Sequence, residues 1–264
     1  MLPKVCAIAK QAGKEILSIY DKEYKVVNKN DNTPVTDADI KAHNYIVKHL
    51  SAISPNIPVL SEESDKIEFS IRKKWFIYWL IDPLDGTKEF IAKTGEFSVN
   101  IALIINHRSV LGVIYSPCQQ LLYYAAIDLG AWRSVASKVY KPACLIRTRK
   151  IPDTILSIVG SHSRNSKKMQ NLLKKIGKTK LLSMGSSIKS CLVADGSVDI
   201  YPRFGPTSEW DTAAAQCIVE EARGAIVDLN LQPLRYNTKS SLLNPEFLVI
   251  GDLDYNWKKL LEQI

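Results

Sequence analysis

Residues 75–90, WFIYWLIDPLDGTKEF, form the stretch that decides how this chain folds. The apolar run at 76–81 predicts a buried strand that leads into Asp82. Pro83 has no N–H to donate to a neighbouring strand, so we expect strand pairing to stop there. Asp85 follows, and the glycine after it permits a tight turn into a helix. The stretch therefore predicts two carboxylates held close together at the end of a buried strand.

Two carboxylates this close repel each other unless a positive charge lies between them. Oxygen ligands favour a hard divalent cation, and magnesium in particular. The alternative interpretation is that Asp82 and Asp85 are solvated residues of an ordinary turn, because Asp-Pro and Asp-Gly pairs are common in turns.

Three further acidic segments lie at the edges of predicted apolar elements. They are residues 61–64 (SEES), residues 33–39 (TPVTDAD) and residues 209–214 (EWDTAA). Each has a simpler explanation, since Asp37, Asp39 and Asp211 could stabilise a helix N-terminus through its dipole. Glu62 and Glu63 could likewise belong to a solvated loop. Four acidic segments in such positions together favour a metal site.

The set formed by Glu62-Glu63, residues 82–87 (DPLDGT) and residues 210–214 (WDTAA) resembles the inositol monophosphatase superfamily of metal-dependent, lithium-sensitive phosphatases. The resemblance runs nearly from end to end. Residues 79–82 (WLID), 87–90 (TKEF) and 95–100 (GEFSVN) are similar to the 3′(2′),5′-bisphosphate nucleotidase branch. One departure is Arg223, which stands where the family usually has glycine and leaves the local turn geometry open.

The resemblance implies an α/β fold, an αβαβα sandwich with the active site between its two halves. It implies Mg²⁺ as cofactor, with two or three ions per site, held by Glu62, Asp82, Asp85, Asp211 and the main-chain carbonyl of Leu84. An apolar residue between two acids can indeed contribute only its main chain.

For catalysis, the nucleophilic water would be oriented by Thr87 together with Asp39 or Glu62. The backbone N–H groups of Gly86 and Thr87 would hold phosphate oxygens at the start of a helix. The whole predicted substrate contact set is Glu62, Leu84, Asp85, Gly86, Thr87, His162, Ser186, Lys189, Arg203 and Asp211.

Specificity is expected from the second half of the chain, where Lys189 and Arg203 would suit a second phosphate that an inositol monophosphate lacks. The alternative for both is plain surface charge, and a loop histidine such as His162 is more often structural.

The chain has 264 residues, 46% of them hydrophobic, which is enough for a sizeable core in one catalytic unit. We place the boundary between its two halves near 150, giving residues 1–150 and 151–264. No stretch is long enough to predict a membrane span, and the first twenty residues do not resemble a signal peptide. Five scattered cysteines favour a reducing compartment, so we expect a cytoplasmic protein. Peripheral association with the inner membrane would be compatible with the resemblance, and the sequence leaves the oligomeric state open.

The hydrophobic pattern predicts helices at 3–21 and 36–50 and then an antiparallel meander of strands at 97–105, 110–115 and 121–126. Alternation within residues 97–106 predicts that the first of these strands is half-buried. Strands and helices then alternate, which predicts a layered α/β half. The predicted strands are 155–159, 179–183, 198–201 and 247–250, and the helices are 164–176, 186–195, 208–223 and 254–263.

The formal net charge of +8 permits attraction to nucleic acid or to small anions. The lysines are dispersed and not interleaved with aromatic residues, so we expect a small-molecule bisphosphate nucleotide as partner and no nucleic acid. The leading hypothesis is Mg²⁺-dependent hydrolysis of the 3′-phosphate of adenosine 3′,5′-bisphosphate to AMP, linked to sulfur assimilation. One alternative is an inositol or sugar monophosphatase of the same superfamily. A second is a non-catalytic nucleotide-binding or nucleic-acid-binding protein.

Overall fold

The computed structural model describes residues 1–28, 34–135, 142–152, 155–162 and 166–262. Within these residues the helices are α1 (Leu2–Tyr20), α2 (Asp37–Ile53), α3 (Phe69–Arg72), α4 (Thr87–Ile91), α5 (Lys167–Ile176), α6 (Ile188–Ala194), α7 (Glu209–Glu221) and α8 (Trp257–Leu261). The strands are β1 (Val26–Asn28), β2 (Pro34–Thr36), β3 (Val59–Ser61), β4 (Ile77–Asp85), β5 (Ser98–Ile105), β6 (Arg108–Ser116), β7 (Leu121–Ala126), β8 (Ala131–Val135), β9 (Cys144–Ile146), β10 (Leu156–Gly160), β11 (Thr179–Ser183), β12 (Ile200–Arg203), β13 (Ala225–Asp228) and β14 (Phe247–Ile250).

Two sheets carry the architecture. A seven-stranded sheet has the order β3-β4-β5-β6-β7-β8-β9, and a five-stranded sheet has the order β11-β10-β12-β14-β13. In the first sheet β3 and β4 are parallel and the remaining neighbours are antiparallel. The short strands β1 and β2 pair separately.

The two sheets and three helical layers form the predicted αβαβα sandwich. Helices α1 and α2 pack with Trp79 and Ile101 on the outer face of the seven-stranded sheet. Helix α7 packs on the inner face with Leu80 and Ala102, between the two sheets. Helices α5 and α8 cover the far face of the five-stranded sheet, around Ile158. The fold class inferred from the sequence is confirmed.

Strand β5 corrects the expectation of a half-buried strand, because seven of its eight positions, Ser98 to Ile104, are buried. Its side chains alternate between the core formed with α1 and α2 and the core formed with α7. Helices on both faces of a sheet bury polar as well as apolar strand positions. The period-two pattern identified the strand correctly but did not reveal that helices cover both faces of its sheet.

The expectation that pairing stops at Pro83 is also wrong, since β4 continues to Asp85. The register shifts so that Asp82 pairs with Asn100 and Asp85 with Ser98. Two residues of β4 therefore lie opposite one residue of β5, which is a β-bulge. Residues three apart normally face opposite sides of a strand. The extra residue brings both aspartates to the same side.

Helix α7 lies unusually close to the seven-stranded sheet. A Cβ on Gly112 of β6 would be 2.1 Å from the carbonyl oxygen of Ala214, so no other residue type fits there without a shift of the helix. The Ser109 hydroxyl donates to the carbonyl oxygen of Ala213 at 2.7 Å. These contacts fix the height of α7, and so of its first turn, above the sheet.

Most long elements agree with the sequence within a few residues, and Thr36 caps α2 as expected. The short elements β1, β2, β3, α3, β8, β9 and β13 were not anticipated. Thr33, Ser163 and the first two residues of the helix predicted at 164–176 lie outside the described residues. No helix in the described part of the chain has the length and apolar character to cross a bilayer.

The chain passes from one sheet to the other between Ile146, which ends β9, and Leu156, which begins β10. Helix α7, although late in the sequence, packs against β5 and β6 of the first sheet. A division of the chain near residue 150 therefore stays a prediction.

The turn after α7 is formed by Arg223, which has a φ of +75°. The N–H of Gly224 reaches back to the Val219 carbonyl at 2.9 Å, as in the usual glycine-ended helix. The turn that the sequence left open is therefore kept, with an exposed arginine in a left-handed conformation.

We predict that Arg223→Gly raises the free energy of unfolding by about 1 kcal/mol, because glycine adopts this conformation without the clash of a Cβ. Urea denaturation of the two proteins would measure the difference. Arg223→Ala is the control, since alanine removes the side chain but keeps the Cβ. A gain of the same size for both variants would show that the arginine side chain, and not its backbone, is unfavourable.

Candidate metal-dependent active site

Three carboxylates meet where the seven-stranded sheet faces α7. Oxygen atoms of Glu62, Asp82 and Asp211 all lie within 4.8 Å of one another. Glu62 directly follows β3, whose last residue Ser61 pairs with Ile81, so the parallel register places it beside Asp82. Asp211 lies in the first turn of α7. The structure thus brings together acids from three segments that are far apart in the sequence.

The helix-capping interpretation of Asp211 is also correct. Its Oδ2 accepts the N–H of Ser208 at 2.9 Å, within a capping box that includes the Ser208 side chain. Capping fixes the orientation of the carboxylate relative to α7. Asp39 is used in the same way, because its Oδ2 accepts the Thr36 N–H at 2.7 Å. The cap of α7 therefore orients a carboxylate of the cluster, and the cap of α2 orients the neighbouring carboxylate of Asp39.

Burial makes Asp82, Asp211 and Asp39 difficult to ionise. It raises the pKa of Asp82 well above its usual value, and the neighbouring acids Glu62, Asp85, Asp211 and Asp39 raise it further. Burial, followed by the charges of Asp85 and Glu62, raises the pKa of Asp211 to about 8. Burial also raises the pKa of Asp39, despite the hydrogen bonds that its carboxylate accepts.

A divalent cation fits this donor set. The clustered donors are carboxylate oxygens, and burial together with the charges of neighbouring acids opposes the ionisation of Asp82 and Asp211. Bound Mg²⁺ or a similar hard ion would remove this cost by favouring the ionised acids.

Thr87 lies at the edge of the acidic cluster. Its hydroxyl donates to Asp39 Oδ1 at 3.0 Å and lies 3.3 Å from the Leu84 carbonyl oxygen. Gly86, which precedes α4, has a φ of +96°, and a Cβ there would lie 3.0 Å from the Glu96 carbonyl. The turn therefore requires glycine in order to present Thr87. Of the two acids predicted to act with Thr87, Asp39 is the one with which it makes this hydrogen bond.

Asp85 lies beside the three-acid group and is held from the second half of the chain. Its Oδ2 accepts both the N–H and the hydroxyl of Ser187, each at 2.5 Å. The Ser187 oxygen in turn accepts from Asn100 Nδ2 at 2.8 Å. Ser187 and Asn100 were both missed as site residues. Asn100 lies in a segment similar to the nucleotidase branch, but its contact with Ser187 joins positions 87 residues apart, which no local pattern reveals.

The predicted substrate residue Lys189 is buried, with 6% of its surface exposed. Its ammonium donates to the carbonyl oxygen of Ser186 at 2.6 Å and lies 5.3 Å from the centre of the Tyr201 ring. Burial lowers the pKa of Lys189 to about 8, although Asp85 works in the opposite direction. Ser186 itself has a φ of +51°. The lysine therefore both supports a strained turn and adds positive charge beside Asp85.

Arg203 and His162 lie on the side of the second sheet. Arg203 donates from Nε to the Thr207 hydroxyl at 2.7 Å, and it lines a cavity of about 240 Å³ together with Ser161. His162 Nε2 is 2.7 Å from Glu96 Oε2, which also accepts the Gly185 N–H at 2.6 Å. Their predicted roles in substrate binding stay predictions.

Known proteins resemble this chain along almost its full length. The sequence profile of the Inositol monophosphatase family matches residues 1–262. The chain is 41% identical over 263 residues to the 3′(2′),5′-bisphosphate nucleotidase CysQ of Haemophilus influenzae, covering 99% of this chain and 97% of that protein. It is 43% identical over 253 residues to the protein of the same name from Escherichia coli, covering 94% and 99%. The crystal structure of CysQ from Bacteroides thetaiotaomicron, a bacterial member of the inositol monophosphatase family, has a TM-score of 0.81 at 40% identity, covering 94% of this chain and 96% of that one.

The raised pKa values predict how the metal-free protein responds to pH. Asp82 and Asp211 bind protons more tightly folded than unfolded, so stability is lost as pH rises toward the folded pKa of Asp211, about 8. We expect the melting temperature of metal-free protein to fall between about pH 5 and about pH 8, and Mg²⁺ to raise it more at the higher pH.

Asp211→Asn is the matched variant, because it keeps the shape of the side chain and removes its titration. It should flatten the pH dependence and weaken the Mg²⁺ effect. A metal-free wild-type protein that becomes more stable as pH rises over this range would contradict the electrostatic analysis.

Proposed function

The chain belongs to the inositol monophosphatase family and is a phosphatase, and we propose that it removes the 3′-phosphate of adenosine 3′,5′-bisphosphate with the help of Mg²⁺. The observation that carries the proposal is the meeting of Glu62, Asp82 and Asp211 within 4.8 Å in a chain 41–44% identical to nucleotidases over nearly its whole length. A role in sulfur assimilation, through removal of this bisphosphate, and a cytoplasmic location belong to the same proposal.

The residues proposed to hold Mg²⁺ are Glu62, Asp82, Asp85, Asp211 and the carbonyl of Leu84. When bound, Mg²⁺ supplies a water of lowered pKa and neutralises charge on the phosphate. The protein contributes a rigid arrangement of acids. The Leu84 N–H, for example, donates to Asp82 Oδ1 at 3.0 Å. This bond stabilises the bulge that places Asp85 on the same side of β4 as Asp82.

Thr87 is proposed to orient the attacking water. The Thr87 hydroxyl donates its proton to Asp39 Oδ1, so the lone pairs of its oxygen remain free to accept a hydrogen bond from that water. The water then presents its own lone pair toward phosphorus, as in-line attack requires. The buried Asp39 carboxylate, held by Thr36, provides a fixed acceptor.

The second phosphate of the substrate is proposed to bind near Lys189 and Arg203. Arg203 donates from Nη2 to the Pro206 carbonyl at 2.9 Å in addition to its bond to Thr207, so the guanidinium is fixed in place beside the 240 Å³ cavity. Burial lowers the pKa of Lys189 most, and the nearby positive charge of Arg203 lowers it further, so the two cations lie near each other. Two neighbouring cations match a doubly phosphorylated ligand better than a monophosphate.

The same positive pair argues against the inositol or sugar monophosphatase alternative, whose substrate has no second phosphate. The alternative of a binding protein without turnover is disfavoured by the acidic cluster. Carboxylates gathered in one buried place repel a phosphate unless a cation accompanies them. The net charge of +8 is better explained as general attraction of anionic substrates toward the surface.

We predict rapid phosphate release from adenosine 3′,5′-bisphosphate that requires Mg²⁺, with much slower release from inositol 1-phosphate and AMP. Asp85→Asn should lower turnover by at least about 100-fold, since it weakens a proposed cation ligand without changing the side-chain shape. Phosphate release would be measured with each substrate, and circular dichroism would confirm that the variant folds.

Preference for inositol 1-phosphate would support the monophosphatase alternative. Full activity of a folded Asp85→Asn protein would exclude the assigned metal role of that residue. Tight, salt-dependent binding of a random oligonucleotide without phosphate release would favour the non-catalytic alternative.

A separate prediction concerns Lys189. Lys189→Met keeps the buried stem and removes the charge, so kcat/KM for the bisphosphate should fall by about 10- to 100-fold, the value of a charge-assisted hydrogen bond. Release from a monophosphate should change much less. Lys180→Met, at an exposed position of β11, is the control for general loss of positive charge. Equal losses on both substrates would show that Lys189 only supports the Ser186 turn.

A further inference from the structure

Ser187 lies at the point where three parts of the active site meet. It precedes α6, in the second half of the chain, and is 5% exposed. Its oxygen lies 2.5 Å from Asp85 Oδ2 at the end of β4 and 2.8 Å from the carbonyl oxygen of Asp211 in the first turn of α7. A third contact, from Asn100 Nδ2 of β5, is 2.8 Å long.

The hydrogen bonds can be assigned from the chemistry of the groups. The serine hydroxyl has one proton, which lies between two acceptors, Asp85 Oδ2 and the Asp211 carbonyl oxygen. The Asn100 amide donates to the hydroxyl oxygen, which leaves the serine proton directed at these acceptors. The Ser187 N–H adds a second donor to Asp85 Oδ2.

These bonds fix which oxygen of Asp85 is available to a ligand. Oδ2 accepts from the two Ser187 donors and lies 3.5 Å from Asn100 Nδ2. Oδ1 takes part in none of these described contacts. A carboxylate held through one oxygen can rotate little, so the other oxygen points in a defined direction. Groups that hold a metal-binding side chain in this way commonly change metal affinity by about 10- to 100-fold when removed.

We propose that Ser187 is a positioning residue that holds Asp85 through Oδ2, presents Oδ1 to the cation site, and ties this orientation to the first turn of α7. Asn100 acts through Ser187 by fixing the direction of its hydroxyl. This inference rests on the proposed function, in which Asp85 is a cation ligand. It adds that cation affinity depends on a residue of the substrate-side segment that is not itself a ligand.

The test is Ser187→Ala, which removes the hydroxyl and keeps the backbone N–H donor. Metal-free protein is titrated with MgCl₂ while its melting temperature is followed, and the half-saturating concentration is compared with that from phosphate release. We expect half-saturation to rise about 10-fold in both measurements, with KM for the bisphosphate at saturating Mg²⁺ changed much less.

Ser190→Ala is the matched control. It makes the same change three residues further along, inside α6 and also at a buried position, and its hydroxyl makes no hydrogen bond among those described in the structure. Its half-saturating Mg²⁺ concentration should equal that of the wild type. If Ser187→Ala lowers the melting temperature without Mg²⁺ but leaves half-saturation within twofold, Ser187 only joins the two halves of the chain and the proposal is overturned.

Asn100→Ala tests the second step. Because Asn100 acts through Ser187, the double variant should bind Mg²⁺ no more weakly than Ser187→Ala alone. Additive losses would show that Asn100 acts separately. Wild-type protein that binds Mg²⁺ but leaves the bisphosphate intact would refute the proposed function, while the thermal titration would still decide the role of Ser187. Wild-type protein that does not bind Mg²⁺ would overturn both.

Discussion

The free-energy cost of gathering buried carboxylates is the constraint on which the rest of this structure depends. Asp82 is almost completely buried. Burial raises its pKa, and so do the neighbouring acids Glu62, Asp85, Asp211 and Asp39. Such an arrangement opposes folding when the acids are ionised, so packing elsewhere must hold it in place. The sandwich does this with a large apolar core on each face of the seven-stranded sheet. A bound cation would relieve the repulsion between the carboxylates that this packing holds together, and that relief would favour its binding.

Different local features of the backbone position Glu62, Asp85 and Asp211. Parallel pairing of β3 and β4 places Glu62 beside Asp82, and the bulge in β4 turns Asp85 to the same side. Capping orients Asp211, while the close approach of α7 to Gly112 sets its height. None of these features creates a site alone. Because they converge, a shift of any one element would separate the acids, which explains why even a turn residue of the site such as Glu62 directly follows a well-packed element.

Sequence reasoning identified the acids and most long elements for physical reasons that are local. Hydrophobic periodicity marks strands and helices, and Asp-Pro-Leu-Asp-Gly-Thr contains both the acids and the turn that presents Thr87. It failed at the bulge, because a proline normally interrupts pairing and the partner strand that accommodates it is not visible locally. It also missed Ser187 and Asn100, whose importance comes from contacts with Asp85 and with each other.

The amino-acid sequence by itself determined the four acidic segments and the resemblance to the family, since these depend on residue types and spacings along the chain, and the αβαβα class followed from that resemblance. The tertiary structure alone decided which oxygens of Asp85 and Asp211 are engaged, that Thr87 is paired with Asp39, and that Lys189 is buried against Ser186. These properties depend on angles and distances between segments brought together by packing. Hydrogen bonds act over about 3 Å and are directional, so they are defined only after the two sheets and α7 have taken their places.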